Sequence, residues 1–291
     1  MIRALFLTSR PLSWINTAFP FAAAYLVGSL VEGDGFSVAT LVVGTLFFLA
    51  PYNLAMYGIN DVFDYESDLR NPRKGGVEGA LLLPRWHRAT LVASVAASLP
   101  FIVYLVVVGT VASTAVLALS LFAVVAYSVR GLRFKERPVL DSITSSTHFV
   151  SPGLVGLALA GSAPTWALAS ALAAFFLWGA ASHAFGAVQD IQADRAAGIH
   201  SIATVFGARA TVRLAVVLYL LAGVLLLGTV WPGPIAAVLV VPYAINAAPW
   251  WKVSDDNAAA ANRGWRRFLG LNFVSGFVVT MFLIAMTALA R

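Results

Sequence analysis

Long apolar runs alternate with short polar breaks along almost the whole chain. Nine runs come near the ~20 residues that a helix needs to cross a bilayer. They lie at approximately 12–31, 38–59, 89–108, 111–129, 141–160, 165–187, 209–229, 232–250 and 268–289. Gly and Pro interrupt several of them, and only short turns separate the pairs near 109 and 231, so a count of eight or ten stays open. The pattern predicts an all-α fold: a polytopic membrane helical bundle of about nine transmembrane helices in a single domain, 1–291.

Composition agrees and removes other classes. The 291 residues are 60% hydrophobic and only 11% charged, with a mean hydropathy of +0.84; soluble domains carry about 25% charged residues. Cysteine is absent, which excludes a disulfide framework, a thiolate metal site and a cysteine nucleophile. The opening "MIRALFLTSRP" has basic residues, but its apolar run is too short for a signal peptide. Met1 is therefore read as the start of the mature chain.

Net charge of +6 would suit a nucleic-acid binder, but its distribution gives a better account. Arg3, Arg10, the loops at 60–88, 130–138 and around 189–208, and the segment around 251–267 fall on one side. "VEGDG", "GTVAS", "AGSAP" and "WPGP" fall on the other, where Arg291 is the lone cation. Cytoplasmic loops are enriched in Lys and Arg. The expected topology is a multi-pass protein of the cell membrane, with the N-terminus cytoplasmic and the C-terminus outside. No soluble basic domain remains to bind nucleic acid.

Against this background, "YGINDVFDYESD" (57–68) is anomalous. Asp61, Asp64, Glu66 and Asp68 crowd the end of the second run, just after Asn60. At helical spacing Asn60, Asp64 and Asp68 share a face, Asp61 sits beside Asp64, and Glu66 points away. "FGAVQDIQADRAAG" (185–198) ends the sixth run similarly, with Asp190 and Asp194 one turn apart. The echo suggests two related halves, about 1–129 and 130–291.

Like charges at this spacing repel, and carboxylates near a bilayer normally mark ion or substrate sites. Helix capping in a solvated loop would explain one such cluster. Two matched clusters on one side call for a shared positive partner. Magnesium suits: it takes one or two carboxylates together with water and substrate phosphates. The metal candidates are Asn60, Asp61, Asp64, Asp68, Asp190 and Asp194, with Asp64 and Asp190 the two on which turnover should depend.

Cations accompany the acids. Lys74, Arg133 and Lys135 are the candidate diphosphate ligands, since Arg offers a planar fork and Lys a point charge; loop charge alone would also account for them. Tyr127 joins this substrate-binding group, and with Tyr57 and Phe63 it offers a π face to a cationic intermediate. "KGGVEG" lacks the spacing of a P-loop. His148 and His183 lack metal spacing and are read first as hydrogen-bonding groups between helices, with proton acceptance as the alternative.

"NDVFDYESD" (60–68) and "DIQAD" (190–194) resemble the two Asp-rich motifs, NDxxDxxxD and DxxxD, of the UbiA superfamily of intramembrane prenyltransferases. The spacing of the motifs, the nine-span plan and the basic loop after Tyr127 agree, so the resemblance covers essentially the whole chain. The longer stretches "SRPLSWINTAFPFAAAYL", "PYNLAMYGINDVFDYESDLRNPRKGGVEGA", "RFKERPVLDSITSSTHFVSP" and "GAVQDIQADRAAGIHSIATVFGAR" are similar to the actinobacterial lycopene elongases.

The resemblance implies a bundle around a central cavity, with the acidic motifs at its cytosolic mouth binding Mg2+ and a diphosphate. Arg133 stands where family members often carry Lys. The implied reaction is transfer of a prenyl group from an allylic diphosphate, dimethylallyl diphosphate, to a lipophilic acceptor, lycopene, amid membrane lipid. A quinone precursor or a tetrapyrrole is the alternative acceptor. Whether a partner subunit or a second copy of the chain takes part is left open. A divalent-cation transporter would instead place its carboxylates near the membrane midplane on broken helices.

Overall fold

The computed structural model describes residues 1–32, 36–69 and 81–289, and every regular element among them is helical. In order these are α1 (Ile2–Thr8), α2 (Ile15–Glu32), α3 (Val38–Leu49), α4 (Pro51–Phe63), α5 (Tyr65–Asp68), α6 (His87–Val108), α7 (Val111–Ser128), α8 (Leu140–Leu159), α9 (Trp166–Val188), α10 (Ile191–Ala196), α11 (Ile202–Leu226), α12 (Val241–Ala247) and α13 (Asn262–Leu289), with short 3-10 turns between some of them. All nine apolar runs coincide with helix. Seven helical segments among the described residues are long and apolar enough to cross a membrane. Ile15–Leu30 is a shorter apolar helix, and α8, interrupted by Ser, Thr and His, is not among the seven.

The chain forms two compact units. The first comprises Met1–Phe134 with His148–Ser162, and the second Lys135–Thr147 with Ala163–Arg291.

In the first unit, α3 and α4 form one apolar rod, Val38–Phe63, bent at Ala50 (φ −120°, ψ −56°), with Pro51 at the first position of α4. Proline suits that position because its missing N–H would have no partner there. Such a bend frees carbonyls, which in a bilayer must be satisfied from within the protein. Thr17 Oγ1 donates to the Phe48 carbonyl at 2.7 Å, and Asn53 Nδ2 donates to the same carbonyl at 2.8 Å and to Thr17 Oγ1 at 2.7 Å. This explains why Asn53 and Thr17 are buried in an apolar core. Gly44 lets α3 approach α2 closely: a Cβ there would collide with the Phe21 ring. Phe21, Phe47, Phe48 and Tyr52 form the surrounding core.

The second unit packs α9 against α11 through small residues, including Ala181, Ala184, Ala208 and Ala215. Small side chains permit the close backbone approach on which helices in lipid depend. Trp178, Tyr243, Phe268 and Trp265 stack beside them. The helix starts are capped: Ser201 and Thr204 form a reciprocal capping box on α11. Buried Asp141 joins two helix starts, accepting from Ser142 N and Ile202 N, each at 2.7 Å. The partial positive charge at a helix N-terminus favours a carboxylate there.

Candidate active site

The first acidic motif is built by an interrupted helix. α4 ends at Phe63, Asp64 takes φ −103° and ψ 0°, and α5 follows. The i→i+4 bonding continues through the break: Asp64 N donates to Asn60 O at 2.9 Å and Asp68 N to Asp64 O at 2.8 Å. The common face expected of Asn60, Asp64 and Asp68 therefore persists. Asp61, Asp64 and Asp68 are all buried, at 1%, 7% and 8% exposure, whereas Glu66 is exposed. Burial separates the three aspartates from a capping residue in solvent.

Each buried acid needs compensation. Arg10 NH2 lies 3.0 Å from Asp61 Oδ1, and its guanidinium sits 4.2 Å from the centroid of the Tyr57 ring. Burial lowers the Arg10 pKa, but the charge and hydrogen bond of Asp61 together with Tyr57 and Asp68 outweigh it, so the net shift is upward. Arg133 NH2 approaches Asp64 Oδ1 more loosely, at 3.8 Å. Both arginines have left-handed backbones, φ 50° at Arg10 and φ 41° at Arg133. Such values are uncommon outside glycine and need surroundings that hold them. Ser128 Oγ donates to Asn60 Oδ1 at 3.0 Å. Its neighbour Tyr127 packs edge-on against His148, with ring centroids 5.3 Å apart.

The second motif has the same local form in the second unit. α9 ends at Val188, Gln189 caps it, and Asp190 is the N-cap of α10. Asp194 N donates to Asp190 O at 2.8 Å, which keeps the two acids one turn apart, and both are half-buried. The residues around them face another way and act as fasteners. Gln192 Nε2 donates to Asp256 O at 2.8 Å. Arg195 pairs with Asp255 at 2.8 Å and donates twice to Thr204 O. Asn262 Nδ2 donates to Gln189 Oε1. Asp255 Oδ1 in turn accepts from Ala208 N at 2.7 Å, next to the break at Gly207 (φ 80°, ψ 161°).

Lys135 lies half-buried in the 3-10 turn Phe134–Glu136. Lys74 lies outside the described residues. Arg10 was not among the expected site residues. Its only signal in the sequence is a cation directly before the first apolar run, where loop charge is ordinary.

Donor chemistry tests the fit to magnesium. Among the described residues no three His, Cys, Asp or Glu side chains are gathered into a metal cage. The motifs present carboxylates one turn apart instead. That set fits an ion which completes its shell with water and substrate phosphate rather than with protein groups alone.

The model of the UbiA prenyltransferase family matches residues 18–289. The chain belongs to that family. It is thus a multi-pass membrane protein of a prenyltransferase family. Among UbiA relatives, "C(50) beta-cyclic carotenoids biosynthesis protein LbtBC" of Dietzia sp. is 55% identical over 285 residues, covering 98% of this chain and 65% of that protein. The chain thus spans about two thirds of the Dietzia protein's length. "Lycopene elongase/hydratase" of Corynebacterium glutamicum is 53% identical over 284 residues, covering 98% of this chain and 97% of the relative. A UbiA homolog from Archaeoglobus fulgidus, solved bound to DMAPP and Mg2+, has the same fold, with a TM-score of 0.68 at 20% identity over 94% of this chain and 99% of that one.

Proposed function

We propose that this UbiA family member transfers a prenyl group from dimethylallyl diphosphate to the end of lycopene, in the synthesis of fifty-carbon carotenoids. The observation that carries the reading is the burial of Asp64 and Asp68 on one face at the end of an apolar helix, in a chain 53% identical to a protein named lycopene elongase/hydratase. Buried carboxylates of like charge are tolerated when a cation joins them.

In this reading Asn60, Asp64 and Asp68 from one motif, and Asp190 and Asp194 from the other, hold Mg2+ against a shared diphosphate. When bound, Mg2+ neutralises charge on the leaving group. Arg133, Lys135 and Lys74 bind the remaining phosphate oxygens and stabilise the same charge as it grows. The allylic C–O bond breaks, and diphosphate departs with the electron pair. The Tyr127 and Tyr57 rings offer π faces to the allyl cation, and the apolar helices exclude water from it. The terminal double bond of the acceptor supplies the electrons of the new C–C bond, leaving a tertiary cation. Water adds there and releases a proton, a branch supported by the word hydratase in the relatives' names. The charge asymmetry of the loops supports a cytoplasmic N-terminus and cytoplasmic motifs, with the last span ending outside.

The test is mass spectrometry of pigments from a lycopene-making host with and without the chain. New pigments enlarged by one or two five-carbon units, each with one added water, are expected; loss of a proton instead would give products lighter by that water. An unchanged lycopene pool, or turnover by the purified protein undiminished by EDTA, would overturn the reading.

A further inference from the structure

We propose that the cleft beside the break in α11 is a site for one anionic phospholipid, its phosphate held by Arg209 and Arg213 and its acyl chains laid along the exposed apolar stripe of the same helix. This surface is separate from the acidic motifs, and the proposal stands whether or not the prenyl-transfer reading does.

Three observations converge. An open cleft of about 680 Å³ lies against the Gly207 break, with Phe206, Arg209, Arg213, Ser254 and Asp255 in its wall. Arg209 and Arg213 are exposed and one helical turn apart, and among the described residues neither forms an ion pair or a side-chain hydrogen bond. The acid in the wall, Asp255, is already answered: Arg195 pairs with it at 2.8 Å, and Ala208 N donates to it at 2.7 Å. Two positive charges therefore line the cleft uncompensated. The Arg213 guanidinium rests 5.3 Å from the centroid of the Trp251 ring, and Trp is enriched at the level of lipid headgroups.

The third observation says what is attached to the anion. Positions 209, 213, 217, 220 and 224 fall within about 80° of one another around a helix. Along that stripe the two arginines give way to Val217, Leu220 and Val224, which are 45%, 51% and 61% exposed. The helix itself is long and apolar enough to cross a membrane. A free phosphate ion would engage the arginines and leave the stripe unused; a phospholipid matches both ends. Arg forks bind phosphate oxygens in pairs, and basic pockets between spanning helices receive anionic headgroups. A zwitterionic lipid would bring its own ammonium group toward the same two cations, so the site should distinguish phosphatidylglycerol from phosphatidylcholine.

The experiment offers the full chain, in detergent, an equimolar mixture of phosphatidylglycerol and phosphatidylcholine and counts the retained lipids by native mass spectrometry. The unmodified chain should retain phosphatidylglycerol in preference, and Arg209→Gln/Arg213→Gln should lower that preference about tenfold. Arg266→Gln/Arg267→Gln removes the same charge from α13, outside the cleft wall, and should change it by less than about twofold. Equal losses in the two double variants would reduce the effect to diffuse attraction by a basic surface and overturn the proposal, as would equal retention of both lipids by the unmodified chain. Glycerol phosphate, a headgroup without chains, should displace the lipid only at about hundredfold higher concentration; displacement at matching concentration would make this a soluble-phosphate site and overturn the lipid assignment. If the first double variant fails to fold, Arg209→Gln and Arg213→Gln taken singly should each lower the preference about threefold, and an unchanged preference in both would overturn the proposal.

Discussion

Asp61 and Arg195 each tie an acidic motif to another part of its own unit, one through a buried ion pair at 3.0 Å and the other through an exposed pair at 2.8 Å. The shorter pair is not the stronger constraint. The Arg195 and Asp255 side chains are 45% and 37% exposed, so water and salt screen them. The Asp61 side chain is 0% exposed, and taking away one charge of a buried ion pair costs far more than it does at the surface. The second motif spreads its hold over hydrogen bonds from Gln192, Asn262 and Arg195 to uncharged acceptors. The first motif therefore relies more heavily on a buried ion pair, while the second should loosen by degrees.

The largest expected effect would place the two motifs on equal footing. Asp64→Asn and Asp190→Asn should each reduce prenyl transfer by about a hundredfold or more, the scale of losing one group that stabilises developing charge. Steady-state turnover of the purified variants measures this, and full activity in either would break the symmetry. Next, the fastenings should separate them. Asp61→Ala should cost about 3–5 kcal/mol of stability, read from denaturant unfolding, because it leaves the half-buried Arg10 without its partner. Gly207→Ala should cost about 1–3 kcal/mol, since a left-handed backbone at φ 80° strains any residue with a Cβ; an unchanged midpoint would show that α11 straightens without loss. The smallest effect belongs to Arg195→Gln, about 1 kcal/mol, from an exposed ion pair and hydrogen bonds that neighbouring contacts partly replace. A loss as large as that of Asp61→Ala would erase the contrast between the motifs.

Much of this was legible in the chain because it is local. Period and length located the helical runs, and the four-residue step put Asn60, Asp64 and Asp68 on one face and left Glu66 outside. The run expected at 209–229 corresponds to the part of α11 after the Gly207 break; the earlier turn, Ile202–Phe206, was missed because its start is set by the Ser201–Thr204 capping box rather than by hydropathy. What stayed hidden depends on partners distant in sequence. Arg10 and Asp61 are 51 residues apart, and no spacing rule reaches that far. Asp141 opens an apolar run, and its second hydrogen-bond donor, Ile202 N, is 61 residues away. Asn53 and Thr17 look like polar flaws in apolar runs until the bend at Ala50 exposes a carbonyl for them to satisfy.

The doubly engaged Asp141 has a consequence for Lys135. The turn Phe134–Glu136 leads into α8, whose opening Asp141 rivets to the start of α11. A loop lysine ordinarily samples many rotamers and surrenders that freedom only on meeting an anion, which weakens the encounter. A cation rooted a few residues from an immobile corner gives up its backbone share of that freedom during folding. Under the proposed role of Lys135 as a diphosphate ligand, the protein bears this cost once, at synthesis, rather than at every catalytic cycle.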